Sequence, residues 1–343
     1  MKTLSNAIEH AWYHGAIWYW PFLVILWPLS ILFRCMTRLR RIVLQGIVLQ
    51  GKHAALPVPV VVIGNISVGG TGKTPLLCEI AIQLSARGKR AGIISRGYGG
   101  SYDGEAYLLQ STDQAARVGD EPLLMAQLTG CPVVIGHDRY AAAKFLLQNT
   151  QVDIILSDDG LQHYALPRTV EIAVLDAARG TGNGFCLPAG PLREAVSRLD
   201  EVDFVVVNGD ASTVFQKEQL VTKLAPEKWI AVASRQALAL DMFCAGTQVH
   251  AVAGIGNPQR FFASLRDMGL HVIEHVFPAH HAYSPSDLLF PDALPVVMTE
   301  KDAVKCVEFA KENCYALRVK MTLPAFWVSR LLDKVEDNFR IET

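Results

Sequence analysis

The sequence lacks the features that would place it at once in several common functional classes. It has no excess charge of one sign, because 32 Lys and Arg residues balance 33 Asp and Glu residues, for a formal net charge of −1. Without a global basic field, binding of nucleic acid is not expected. We recognise neither an internal repeat nor a low-complexity segment in the chain.

Cysteine is present but lacks the spacing of a metal site. The chain has 7 cysteines, an odd number, and none of them forms a Cys-x-x-Cys pair. This argues against a zinc site and favours reduced thiols in a cytosolic compartment, each serving as a small buried hydrophobe. The cysteines are Cys35, Cys78, Cys131, Cys186, Cys244, Cys306 and Cys314.

What the sequence does contain is a phosphate-binding motif. Residues 60–75 read VVVIGNISVGGTGKTP, an apolar β-branched run followed by glycines and then by a helical pattern. Glycines let the backbone approach phosphate oxygens, and a helix N-terminus attracts anions. The pattern predicts that Lys73 reaches the β- and γ-phosphates of a nucleotide and that the Thr74 hydroxyl binds Mg²⁺.

The motif departs from the strict pattern at one position, because Ser67 stands where the first glycine is expected. The alternative is a glycine-rich turn with a chance Gly-Lys-Thr, but the strand before and the helix after favour the phosphate loop. The predicted nucleotide-binding residues are Ser67, Val68, Gly69, Gly70, Thr71, Gly72, Lys73 and Thr74.

An uncharged apolar segment lies near the N-terminus. Residues 16–33 contain no charged side chain, and Arg34, Arg38, Arg40 and Arg41 follow. The length and the three tryptophans predict membrane attachment, with the arginines at anionic lipid head groups on the cytoplasmic side. A helix buried against a soluble domain is the alternative, and spanning or lying in the interface remains open.

The remaining chain alternates strands and helices, which predicts a mostly parallel sheet with helices on both faces. Asp158 and Asp159 follow an apolar strand, the usual position of a Mg²⁺-binding carboxylate, although a solvated turn is the alternative. Asp120 opens a helix as a cap or as a carboxylate aimed at a hydroxyl group. Glu194 ends a glycine-rich loop, where it supports Mg²⁺ on the functional interpretation.

Composition predicts three parts: a membrane-associated segment over residues 1–41, a phosphate-loop kinase domain over 42–209, and a smaller α/β domain over 210–343. Residues 42–59 resemble a linker into the first strand. His280 and His281 form a pair without further ligands at a recognisable spacing, so that sharing a proton with a carboxylate is favoured over metal binding.

Taken together, the motifs resemble the tetraacyldisaccharide 4'-kinase family, whose members phosphorylate a lipid A precursor. The resemblance extends to about residue 306 and depends on GNISVGGTGKTP (64–75), SRGYG (95–99), GDEP (119–122), DDGLQH (158–163), PLRE (191–194), AGIGNP (253–258) and TEKD (299–302).

The resemblance implies transfer of the ATP γ-phosphate to the 4'-hydroxyl of an acylated glucosamine disaccharide 1-phosphate, giving lipid IVA. It further implies a location at the cytoplasmic face of the Gram-negative inner membrane, in contact with membrane lipids and with no obligate protein partner evident. By motif, Asp120 is the expected base, assisted by His280, and Asp158, Asp159 and Glu194 are the expected Mg²⁺ ligands or their supports. Ala279 stands where the family often has an acid, which questions the histidine assignment.

Two other classes keep the phosphate loop but lack the lipid acceptor. One is a membrane-tethered nucleotide hydrolase that acts as a switch or metal-insertion chaperone. The other is a non-catalytic nucleotide-binding adaptor. Analysis of the products formed from radiolabelled ATP and a lipid disaccharide separates the three.

Overall fold

The computed structural model describes residues 8–13, 15, 19–50, 53–210 and 218–342. The chain forms two compact units, each assembled from separate stretches of sequence. The first comprises residues 1–93, 151–223 and 323–343, and the second comprises residues 94–150 and 224–322. Of the predicted segments, residues 16–18 of the apolar run and 211–217 of the polar stretch lie outside the described residues.

The helices, in chain order, are α1 (Trp20–Leu49), α2 (Lys73–Ser85), α3 (Ala115–Val118), α4 (Asp120–Thr129), α5 (Arg139–Asn149), α6 (Pro258–Asp267), α7 (Glu300–Ala303) and α8 (Ala325–Glu342). The strands are β1 (Val60–Gly64), β2 (Ala91–Ser95), β3 (Tyr107–Leu108), β4 (Val133–Ile135), β5 (Ile154–Asp158), β6 (Val170–Asp176), β7 (Phe204–Asn208), β8 (Gln219–Thr222), β9 (Leu224–Ala231), β10 (Ala237–Leu238), β11 (Gln248–Ala253), β12 (His271–Val276), β13 (Val296–Thr299) and β14 (Cys314–Met321).

The first unit is built on a parallel sheet in which β1 lies between β5 and β6. Its strands follow the order β5-β1-β6-β7-β8, and all four pairings are parallel. Every residue of β1, β5 and β7 is buried. Strands buried in this way need continuous apolar runs, which explains why the pattern was readable from the sequence.

The second unit contains a six-stranded sheet in the order β10-β9-β14-β13-β11-β12. The four strands from β14 to β12 are parallel, whereas β9 pairs antiparallel with both β14 and β10. Trp229 and Phe262 are fully buried in its core. The same unit pairs β3 with β4 antiparallel. The predicted α/β fold with mostly parallel sheets is confirmed.

The observed units differ from the predicted division at residue 209/210. Residues 94–150 group with 224–322, and 323–343 return to the first unit. The return is made by α8, where Trp327 packs edge-on against Phe204 at 5.4 Å and Asn338 donates a 2.7 Å hydrogen bond to the Thr169 carbonyl. A reading of composition along the chain cannot detect units that are discontinuous in sequence.

Helix α1 extends into the segment that was predicted as a linker and takes up residues 42–49 of it. It ends at Leu49, and it accommodates Pro28 within the helix, so the prediction of a linker starting at residue 42 is wrong. Residues 20–48 are long and apolar enough to cross a membrane by length and composition alone. Large apolar side chains are exposed along it, among them Trp20, Val24 and Ile25 at 68%, 75% and 68%.

One face of this helix nevertheless contacts the rest of the first unit. The hydroxyl of Tyr19, the residue before α1, donates to the Ala189 carbonyl (3.2 Å), and the Ser30 hydroxyl donates to the Cys186 carbonyl (2.7 Å). Near its end, Arg41 pairs with Glu201. The apolar residues on the other face therefore remain available for lipid.

We expect the exposed face of α1 to bind bilayers. Replacing Ile25 and Leu32 together with Glu should shift the protein from the membrane pellet to the supernatant, because a carboxylate in the apolar region costs about 2.5–3.5 kcal/mol. Sedimentation with liposomes measures this shift. As a matched control, Ile82→Glu adds a carboxylate at an exposed apolar position of α2 and should leave sedimentation unchanged. Unchanged sedimentation of the α1 variant would place attachment elsewhere.

Candidate active site

The phosphate loop connects buried strand β1 to helix α2. α2 begins at Lys73, directly after Gly72, whose φ of 95° lies in the left-handed region that favours glycine. Ser67 forms a β-bridge with Leu192, and the Val68 N–H donates a 2.9 Å hydrogen bond to the Pro191 carbonyl. The loop thus has the predicted strand–loop–helix order. Pro191 and Leu192 hold its first residues through these two contacts.

Lys73 is held within this loop by two oxygen atoms. Its Nζ lies 3.2 Å from Asn65 Oδ1 and 3.5 Å from Asp159 Oδ1, and its side chain is 14% exposed. An ammonium group beside the N-terminal amides of a helix forms a site of positive potential. The arrangement is therefore suited to binding the phosphates of a nucleotide.

The two adjacent aspartates lie at the end of β5. The parallel register pairs Ile63 of β1 with Asp158, so that this buried carboxylate is adjacent to the strand that leads into the phosphate loop. Asp159 has a φ of 46° and pairs with Arg193 at 3.0 Å. Burial alone would raise the pKa of Asp159, but the charges of Lys73 and Arg193 hold it below its usual range.

Glu194 is buried among hydrogen-bond donors. Oε1 accepts a 2.7 Å bond from Gln162 Nε2, Oε2 accepts a bond from the Tyr164 hydroxyl, and Arg198 Nε lies 3.5 Å from Oε2. Sequence reasoning proposed Glu194 but missed these three partners. Tyr164 and Arg198 belong to no recognisable motif, so the sequence does not indicate that they contact Glu194.

The side chains near the loop fit Mg²⁺ by chemistry. Thr74, Asp158, Asp159 and Glu194 offer only oxygen atoms, and the buried Thr71 Oγ1 has no hydrogen-bond partner among the described residues. Within the described part of the chain, no three His, Cys, Asp or Glu side chains form a ready metal-binding group.

In the second unit, the structure brings together Asp120 and His280, which are 160 residues apart in sequence. His280 Nδ1 lies 3.1 Å from Asp120 Oδ2, and its ring packs edge-on against Tyr98 at 5.0 Å. Gly119 occupies the cap position before α4, and Asp120 is the first residue of that helix. His281 pairs instead with Asp287 at 3.2 Å. His280 is therefore the histidine that Asp120 contacts.

Asp120 is charged although it is buried. Burial alone would raise its pKa, but the hydrogen bond from His280 and the charges of Lys301 and Lys305 hold the pKa below its usual range. Lys305 Nζ lies 3.8 Å from Asp120 Oδ2 and 2.9 Å from Asp302 Oδ1. Sequence reasoning missed Lys305. Ala279 stands where the family often has an acid beside the histidine pair. In the structure, Asp120 provides the carboxylate that contacts His280.

The TEKD motif has a structural role in this unit. Asp302 is fully buried and accepts hydrogen bonds from the Gly254 N–H (3.1 Å) and the Thr299 hydroxyl (2.7 Å). Lys301 pairs with Glu121 at 2.6 Å. The motif therefore connects the start of α7 to the glycine-rich turn after β11 and to the residue next to Asp120.

Three comparisons with known proteins agree. A family model described as LpxK, tetraacyldisaccharide-1-P 4'-kinase, matches residues 22–336. The tetraacyldisaccharide 4'-kinase of Alcanivorax borkumensis is 44% identical over 97% of this chain and 98% of its own length. That of Azotobacter vinelandii is 46% identical over 94% and 95%. The crystal structure of LpxK from Aquifex aeolicus in complex with ATP superposes with a TM-score of 0.74 at 27% identity, covering 93% of this chain and 99% of that one.

We expect the stability of the protein to depend on pH through the carboxylate of Asp120. Because its folded pKa is depressed, its stabilising contribution is present above the unfolded pKa of about 4 and is lost as pH falls through the folded value. At pH 7, Asp120→Asn should lower the free energy of unfolding by about 1–3 kcal/mol. The difference from wild type should shrink as pH falls below 4 in thermal melts. The exposed Asp103→Asn is the control, and a pH-independent difference for Asp120→Asn would contradict the assignment.

Proposed function

The chain belongs to the tetraacyldisaccharide 4'-kinase family and is an ATP-dependent kinase of lipid A biosynthesis, and from this premise we propose the roles of its own residues. The observation that carries the proposal is the Asp120–His280 pair, with a charged, buried carboxylate 3.1 Å from an imidazole nitrogen. This pair accepts the proton of the 4'-hydroxyl as that oxygen bonds to the γ-phosphorus.

The nucleotide-binding roles fall to the phosphate loop. The backbone of Ser67–Thr74 surrounds the phosphates, and Lys73 neutralises charge that develops on the transferred phosphoryl group. Asp159 and Asn65 orient the Lys73 ammonium group. Thr74, Asp158 and Asp159 hold Mg²⁺, with Glu194 in support. When bound, Mg²⁺ supplies positive charge to the phosphate oxygens.

The acceptor is a tetraacylated disaccharide 1-phosphate, which is anchored in a bilayer by its acyl chains. Each buried CH₂ contributes roughly 0.8 kcal/mol to anchoring, so the enzyme must act at the membrane surface. We place α1 in the interface rather than across the bilayer, because contacts at Tyr19, Ser30 and Arg41 bind it along its length to the first unit. The exposed Arg34, Arg38 and Arg40 then meet anionic head groups at the cytoplasmic face of the inner membrane.

Lys73→Ala should abolish phosphoryl transfer while preserving the fold. Lys73 contributes charge at the phosphates, and its loss should lower kcat by at least about a hundredfold. Thin-layer separation of radiolabelled lipid product measures transfer, and circular dichroism checks folding. Lys144→Ala, which removes an exposed lysine from α5, is the control. A variant at position 73 with near wild-type kcat would remove the loop lysine from the mechanism.

Asp120→Asn should lower kcat by about 10²–10⁴-fold with little change in the KM for ATP, because the amide keeps the shape but cannot accept a proton. His280→Ala should lower kcat by a smaller factor. The double variant should lower kcat by much less than the product of the two single factors, because the pair acts as a unit.

The same assay tests the rival classes. If Asp120→Asn instead raises the Mg²⁺ or ATP requirement at unchanged saturated kcat, Asp120 belongs to the metal site. ATP hydrolysis without lipid product in the wild type would favour a nucleotide switch. Nucleotide binding without any turnover would favour an adaptor.

A further inference from the structure

Tyr164 is a buried side chain for which the mechanism above has no use. It is 5% exposed, and its hydroxyl donates to Glu194 Oε2. A buried carboxylate is expensive to leave unpaired, so this donor fixes one of the two oxygens of Glu194. The position of this donor depends in turn on the contacts of the Tyr164 ring.

Three guanidinium groups surround that ring. The distances to its centroid are 5.0 Å from Arg168, 5.1 Å from Arg41 and 5.7 Å from Arg198. All are within the range of cation–π attraction. Arg168 and Arg198 are both paired with Glu171, whereas Arg41 is part of helix α1.

A second route connects the same helix to Glu194 through charges. Arg41 pairs with Glu201, Glu201 lies 3.7 Å from Arg198 Nη1, and Arg198 Nε lies 3.5 Å from Glu194 Oε2. Arg41 of helix α1 is therefore connected to the Glu194 carboxylate in two ways, through the Tyr164 ring and through a chain of ion pairs. All of these residues belong to the first unit.

From Glu194 the connection continues to the phosphate loop. The Gln162 amide donates to Glu194 Oε1 (2.7 Å) and to the Asn65 carbonyl (3.1 Å). Asn65 in turn accepts a 3.2 Å hydrogen bond from Lys73 through its side-chain oxygen. Displacement of Glu194 would thus disturb the group that orients the loop lysine.

We propose that Tyr164 is a positioning residue for Glu194 and that Arg41 holds Tyr164, so that helix α1 supports the nucleotide site. The inference rests on the proposed function, in which Glu194 supports Mg²⁺ and the phosphate loop binds ATP. Its physical basis is preorganisation: a carboxylate held by a fixed donor needs no rearrangement when the nucleotide binds.

The test uses the full-length protein in detergent micelles and a non-hydrolysable ATP analogue with Mg²⁺, followed by isothermal titration calorimetry. Tyr164→Phe should weaken analogue affinity by up to about tenfold, because Glu194 must then be ordered when the nucleotide binds, and that cost is bounded by the hydrogen bond that orders it in the wild type. It should also raise the Mg²⁺ concentration needed for half-maximal binding. Thermal melting of each variant shows whether it is folded.

Arg41→Gln should weaken the same affinity by up to about threefold, because the Tyr164 ring then loses one partly exposed cation–π contact that holds it in place before the nucleotide binds. Arg41→Lys should recover only part of the loss, because lysine keeps the charge but not the planar stacking. Arg38→Gln and Arg40→Gln are matched controls, since they remove the same charge from exposed positions of the same helix. Both should bind the analogue with wild-type affinity in detergent.

Glu194→Gln separates failure of the inference from failure of its premise. If Glu194→Gln leaves the affinity and the Mg²⁺ requirement unchanged, the proposed role of Glu194 is wrong. If Glu194→Gln weakens binding but folded Tyr164→Phe does not, the positioning role is overturned. Equal losses for Arg38→Gln and Arg41→Gln would overturn the role of Arg41. If Tyr164→Phe fails to fold, the Arg41 series decides the inference.

Discussion

The register of β1 against β5 is the constraint on which the first unit depends. Pairing Ile63 with Asp158 sets the end of β5 beside the strand that enters the phosphate loop. A slip of one residue would reverse the facing of every side chain on β5 and would remove Asp159 from Lys73. Because β1 and β5 are buried on both faces, such a slip would force side chains of different size to repack on both sides at once, and this opposes it. Catalytic geometry is thus a consequence of core packing.

Both units hold carboxylates that are buried or half-buried, and each of them faces a cation. Asp159 faces Lys73 and Arg193, Asp120 faces Lys305 and lies 3.1 Å from His280 Nδ1, and the Glu194 carboxylate faces Arg198. Buried ion pairs add little to stability, since desolvation offsets much of their attraction. Their persistence here is better explained by position, because phosphoryl transfer depends on charges held in fixed places.

Helix α1 combines two surfaces that are usually found on different elements. Its exposed apolar side chains suit lipid, while Ser30 and Arg41 are bonded to the first unit. On the proposed function, this combination keeps the unit that carries the phosphate loop at the membrane surface, where the acyl chains hold the lipid substrate. The ring of Tyr164 and the carboxylate of Glu201 are the groups of the first unit that Arg41 of this helix contacts.

The sequence by itself determined the elements whose signals are local. The strand–loop–helix order at Lys73, the apolar run of α1 and the polar residues after β5 follow from periodicity and glycine content over a few residues. Only the tertiary structure decided that α1 continues to Leu49, that Asp120 meets His280 rather than His281, and that Tyr164 binds Glu194. These pairings join residues far apart in sequence, and no local pattern encodes a contact that exists only after distant strands have paired.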